Sequence, residues 1–159
     1  MEGNAPEDRE LTSRLYGGDK RIRIRQELLL GVGGFRTLKG MGVTPGVLHL
    51  NSGHSAFAVL EAIHDRMQDE GLSFDEAVPR VSRQVVFTTH TSVPADHDGF
   101  NDDLIEEHLG PLRELLGLSH DKLMGLGREN AGNHQEEFCM TVLGLKVSRH
   151  ANAVSALHG

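Results

Sequence analysis

A chain of 159 residues, 38% hydrophobic and 25% charged, suffices for one globular unit with a single apolar core. Its 23 acidic side chains against 16 basic ones, a net charge of -7, repel nucleic acid and anionic membrane surfaces and exclude both as expected partners. A lone Cys139 in an apolar segment excludes a disulfide framework and reads as a buried, inert thiol in a reducing compartment, so a cytoplasmic address is expected. Residues 1–20 are acidic without an apolar run, and no later stretch approaches the roughly 20 apolar residues of a membrane span. Aromatics are scarce at 4%, thin for an independent domain, and a missing neighbour would explain this.

In chain order, Pro6, Gly17, Gly18 and a run of charges mark 1–20 as an irregular approach segment. The spacing of Ile24, Leu28, Leu29, Val32, Phe35 and Leu38 predicts a helix over 22–39, ended by Gly40 and Gly42; the alternation from Arg21 to Arg25 also fits a short strand. Residues 47–50, between Pro45-Gly46 and Asn51-Ser52-Gly53, read as a buried strand. A helix follows with Phe57, Leu60, Ile63, His64 and Met67 on one face and Gly71 as its left-handed stop. Ser73 and Glu76 form a capping box for the next helix, which runs to about 84 with Pro79 inside as a source of a kink or a shifted start.

Val85-Val86-Phe87-Thr88-Thr89 reads as the second strand. Residues 102–116 carry a helical stripe interrupted at Gly110-Pro111, and Ser119 caps a short helix to about 126. Residues 127–136 read as loop, 138–149 as helix and 151–156 as a third strand. Strands alternating with helices predict an α/β fold with a doubly wound parallel sheet.

Ligands bind such sheets beyond the carboxyl ends of the strands, where loops converge and helix amino ends offer free N–H groups. Asn51, Ser52, Gly53 and His54 leave the first strand there, and Thr89, His90 and Thr91 leave the second. If the strands are neighbours, both imidazoles face one cleft, a hydrogen-bonding lining suited to a polyhydroxylated ligand; the alternative is that each histidine only ties down its own loop. The ten histidines contain no H-x-x-x-H or H-E-x-x-H pair and no second cysteine accompanies them, so no metal site is expected. Gly31-Val32-Gly33-Gly34 lacks both phosphate-loop endings and reads as helix packing, and Ser52 is not in a nucleophile elbow. Glu61, Asp65, Asp69, Glu70, Asp102, Asp103, Glu106 and Glu107 fall on helix faces expected to be exposed and solvated.

Four ordered blocks, NAPEDRELTSRLYGGDKRIRIRQELLLGVGG, HLNSGHSAFAVLEAI, VVFTTHTSVPA followed by HD, and FCMTVLGLKVSRHANAVSALHG, together cover nearly the whole chain. They resemble the α-glucan (glycogen, maltodextrin or starch) phosphorylases, of the shorter bacterial and archaeal type. The resemblance implies glycosyltransferases that release glucose 1-phosphate from an α-1,4-glucan with inorganic phosphate, using pyridoxal phosphate whose own phosphate supplies the acid–base chemistry. It implies a partial Rossmann-like domain over 21–159, from the amino-terminal of two such domains, with the cofactor-binding carboxyl-terminal domain absent. It further implies a homo-oligomer at full length. By resemblance His90 positions the glucose and stabilises the transition state, with Asn51, His54 and Thr91 beside the sugar. The family usually has an acidic residue at Ser52 and Gly at Asp96, so this chain departs at two site loops. The expectation is that these 159 residues bind no cofactor and catalyse nothing alone. The rival readings are a stand-alone carbohydrate-binding module and a small hydrolase with His90 as general base.

Overall fold

A computed structural model describes residues 3–13, 18–90 and 99–154. The approach segment holds one helical turn, α1 (Pro6–Arg9), where irregular chain was expected. Tertiary contacts hold that segment in place: Arg25 pairs with Asp8, and the Gln26 amide donates to the Leu11 carbonyl at 2.8 Å.

The helix expected over 22–39 runs from 20 to 40 in three pieces, α2 (Lys20–Leu28), a π-helical turn (Leu29–Gly33) and α3 (Gly34–Gly40). Asp19 caps it, accepting from the Ile22 amide at 3.0 Å. The turn widens where the glycines cluster, and Gly31 shows why. A Cβ there would lie 2.7 Å from the Ala58 amide nitrogen and 3.0 Å from the Phe57 Cβ, so only glycine lets the turn rest on the start of α4 (Phe57–Glu70). Helix packing accounts for Gly31.

Three parallel strands form the main sheet in the order β1 (Leu48–Asn51), β2 (Val85–Thr89), β5 (His150–Ala153). Leu50, Val85 and Phe87 point to a buried apolar face under α8 (Met140–Val147), where a Cβ on Gly144 would come within 2.6 Å of the Phe87 ring. His49, Asn51 and Asn152 point to the other face and are exposed. That polar face is stitched across the strands: His49 Nε2 donates to the Thr88 hydroxyl at 2.7 Å, and that hydroxyl donates to Asn152 Oδ1 at 2.8 Å. The chain is thus α/β with a parallel sheet, as expected.

Helix α4 ends at Gly71 with φ 66°, as its sequence requires, and α5 (Phe74–Ser82) opens with Glu76 accepting from the Ser73 amide at 2.9 Å and hydroxyl at 2.6 Å. Pro79 lies within α5. Helix α6 (Asp102–Leu115) passes through Gly110-Pro111 without the expected interruption, because burial of Ile105, Leu109 and Leu112 along one face outweighs the hydrogen bond that Pro111 forgoes. Ser119 caps α7 (His120–Gly127) as expected.

Two further elements differ from expectation. β3 (Gly99–Phe100) pairs antiparallel with β4 (Phe138–Cys139), so residues 138 and 139 leave the expected helix, which starts at Met140. Two-residue strands have no period to detect; burial of Phe100 and Phe138 sets them. Cys139 is only partly buried. Glu61, expected on an exposed face, is 6% exposed and held by Arg36 through two bonds of 2.8 and 2.9 Å. Of six phenylalanines, Phe57, Phe74, Phe87, Phe100 and Phe138 are buried, so the sparse aromatics are spent on the core.

Candidate functional site

β1 and β2 are neighbours, with Asn51 opposite Thr88, so the loops after both strands leave from one edge of the sheet. There His90 Nε2 meets Asn51 Oδ1, which assigns the ring proton to Nε2 as donor. Both side chains are exposed. Ser52 takes φ 71° and ψ 179°, a region ordinarily left to glycine, while its amide continues the ladder to the Thr88 carbonyl at 2.8 Å. The chain then turns sharply through a single 3-10 turn (Gly53–Ser55), with a Cβ on Gly53 reaching to 3.1 Å of Met140 and Thr141 atoms.

That turn points His54 away from the strand and toward α2. Its Nδ1 lies 3.5 Å from an Arg23 guanidinium nitrogen and 3.8 Å from a Glu27 carboxylate oxygen. Arg23 and Glu27 are themselves paired at 3.2 Å one helical turn apart, and Glu27 is 2% exposed. A buried carboxylate, a guanidinium and an imidazole thus occupy one corner.

A groove of about 650 Å³ opens between this corner and the polar face of the sheet, within the range of ligand pockets, roughly 300–1,000 Å³. Its polar end holds Arg23, Gln26, Glu27, His49, Asn51 and His54; Leu29 and Leu30 form an apolar wall, and Thr12 of the approach segment closes one side. Asn51 and His54 therefore share one groove, and His90 joins it through Asn51. Thr91 and Asp96 lie outside the described residues. Arg23 and Glu27 were not singled out from the sequence. The signal was present as a carboxylate, Glu27, at helical spacing between Ile24 and Gly31 on the face that packs inward.

Among the other acidic residues, Asp102 and Glu106 are tied into structure. Arg128, 0% exposed, donates to Asp102 at 2.9 and 3.0 Å and to the Glu136 carbonyl at 2.8 Å. Burial pushes the Asp102 carboxyl up, but hydrogen bonds from His120 and Arg128 outweigh it and hold the group below its ordinary value. His120 bridges Glu106 at 2.8 Å and Asp102 at 3.2 Å, and the bond to Glu106, then that to Asp102, raises its pKa against the opposing effect of burial. No group of three or more His, Cys, Asp or Glu among the described residues is arranged to hold a metal ion, and no described helix is long and apolar enough to cross a membrane.

Fold and edge define an α/β unit whose exposed polar groups gather at the carboxyl ends of parallel strands, the usual ligand edge of such sheets. No protein-family model matches the sequence. The chain is 44% identical over 155 residues to a maltodextrin phosphorylase from Thermococcus litoralis, covering 98% of this chain and 18% of that protein. It is 38% identical to a glycogen phosphorylase from Mycobacterium tuberculosis, over 100% of this chain and 20% of that protein, and 33% identical to one from Aquifex aeolicus, over 99% and 22%. Along its whole length the chain is related to maltodextrin and glycogen phosphorylases, and it spans about a fifth of their length.

Proposed function

We propose that this chain is the sugar-positioning part of an α-1,4-glucan phosphorylase, an enzyme that releases glucose 1-phosphate from glycogen or maltodextrin with inorganic phosphate. The observation that carries the reading is the meeting of His90 with Asn51 across two neighbouring strand ends, beside a groove that also holds His54. Asn51 holds the imidazole from its Nε2 side and so orients the ring. His90 then serves the glucose at the cleavage point, where a preorganised dipole aimed at developing charge counts for more than it does in water. His54, braced by Arg23 and Glu27, binds rather than catalyses.

In this reading residues 21–159 are part of a Rossmann-like, doubly wound domain, and Thr91 adjoins the sugar. Among the described residues the groove's lining holds no lysine that could carry a Schiff base, so in this reading pyridoxal phosphate is bound elsewhere. The cofactor, the phosphate-binding residues and the oligomer contacts belong to the polypeptide outside this stretch, and the assembled enzyme works in the cytoplasm.

Grafting tests the proposal. The chain replaces the matching stretch of the Thermococcus litoralis maltodextrin phosphorylase, and release of glucose 1-phosphate is followed. The hybrid should be active, and His90→Ala in it should lower kcat by about 100-fold, the loss expected for one preorganised transition-state contact. A folded, cofactor-loaded hybrid without activity, or one indifferent to His90→Ala, overturns the proposal. So does glucose 1-phosphate release by the 159-residue chain alone.

A further inference from the structure

We propose that His49 is a further sugar-binding residue, whose Nδ1 accepts a hydroxyl of the glucan; the inference rests on the glucan reading above. The first ground is a directed chain of hydrogen bonds across the polar face of the sheet. Thr88 on the central strand lies opposite Asn152, and its hydroxyl is 2.8 Å from Asn152 Oδ1 and 2.7 Å from His49 Nε2. A carbonyl oxygen only accepts, so the single hydroxyl proton goes to Asn152, and the bond to His49 must use a proton carried on Nε2. A neutral imidazole protonated at Nε2 keeps its lone pair at Nδ1. Thr88 is 7% exposed, which shields the relay from water. His49 itself is exposed and lines the groove, and its Nδ1 makes no hydrogen bond among the described residues.

The second ground is the company that Nδ1 keeps. At the polar end of the groove Arg23 and Glu27 are paired with each other at 3.2 Å, Asn51 Oδ1 is taken by His90, and the Gln26 amide donates to the Leu11 carbonyl. A phosphate or carboxylate brings acceptors only and finds no complement in a lone pair. Nδ1 selects a group that brings its own proton. Beside it Leu29 and Leu30, 50% and 56% exposed, offer the apolar surface on which the C–H face of a sugar ring can rest. Hydroxyl donors at the rim and C–H groups over the faces are together the properties of a pyranose; an organic amine shares only the first.

Thr88 and Asn152 act through His49. They are positioning residues, which keep the imidazole proton on the side away from the groove.

The test uses the hybrid phosphorylase described above, with maltoheptaose as the varied substrate. His49→Gln brings an amide N–H to Thr88 from the Nε2 position and leaves nothing at Nδ1. It should raise KM for maltoheptaose about tenfold, the effect of one hydrogen bond, and leave KM for phosphate unchanged. His49→Asn keeps a carbonyl at the Nδ1 position and gives up the bond to Thr88; its KM should stay within about threefold of the parent. The opposite order, with Gln harmless and Asn damaging, means that His49 serves the sheet alone and overturns the inference. Thr88→Val should raise KM as His49→Gln does, and Thr88→Ser should restore it. Nitrogen resonances of the histidine-labelled chain read the tautomer apart from catalysis: the His49 proton should sit on Nε2 in the parent and redistribute in Thr88→Val. A proton on Nδ1 in the parent overturns the inference, as does competition of spermidine with maltoheptaose that His49→Gln abolishes. An active hybrid that needs His90 while His49→Gln leaves KM unchanged sinks this inference and spares the catalytic reading. An inactive hybrid whose calorimetric affinity for maltoheptaose falls about tenfold with His49→Gln does the reverse.

Discussion

The stretch from 99 to 147 and the groove formed by helix 20–40 with β1 are built on opposite plans. In the first, Phe100, Leu109, Leu123 and Phe138 are buried and the charges are locked in pairs around a guanidinium with no exposure. In the second, leucines stand half exposed, a serine adopts a glycine-like backbone, and β1 is the last strand of the sheet among the described residues. Burial should place more of the stability in the closed region than in the open one. Strained backbone such as that of Ser52 is commonly kept where a ligand arrives.

Substitutions break or sharpen this contrast. The largest effect is expected from Arg128→Ala, which removes a fully buried side chain bonded to Asp102 and to the Glu136 carbonyl and opens a hole in the closed region: a loss of about 3 kcal/mol in urea unfolding. A loss under about 1 kcal/mol would remove the basis for calling that region locked. Gly31→Ala comes next, forcing helix 20–40 off the start of α4 at a cost of about 2 kcal/mol. Gly34→Ala, with nothing within 4 Å of the added methyl, serves as its control and should be neutral or slightly stabilising. Equal effects at the two positions would refute close packing as the reason for Gly31.

In the open region the sign should reverse. Ser52→Gly relieves the backbone and should stabilise by about 1 kcal/mol; destabilisation would mean that the serine side chain contributes more than its strain costs. The smallest effect concerns pH. His120 has a raised pKa, so its contribution is complete below the ordinary histidine value of about 6.5 and is lost as pH rises through the higher folded value. His108, whose pKa burial lowers, contributes in the opposite sense, losing stability as pH falls. The melting temperature of His120→Gln minus that of the parent should therefore become less negative between about pH 6 and 9. A flat difference would show that the imidazole bridge carries no charge-dependent stability.

The helices were legible wherever a long apolar stripe met a capping residue, as at Asp19, Ser73 and Ser119, because period and cap are local. The strand at Val85–Thr89 was legible from its β-branched run. Glu61 was misread because helical position alone does not reveal that Arg36 waits across the interface, and Arg128 gave no local sign of burial. The β3–β4 pair was invisible because two residues carry no periodicity.

At the candidate site, residue types and strand-end positions alone single out Asn51, His54 and His90. The sequence by itself determined, to within a few residues, where the helices and strands of the main sheet lie and which residues stand at the carboxyl ends of β1 and β2, since these follow from local spacing. Only the tertiary structure decided that β1 and β2 are neighbours in the register that brings Asn51 to His90, that Arg23 and Glu27 back His54, and that one edge of β1 faces a groove. Each of these is an apposition of residues far apart in the chain, fixed by hydrogen-bond register and core packing that no single segment encodes.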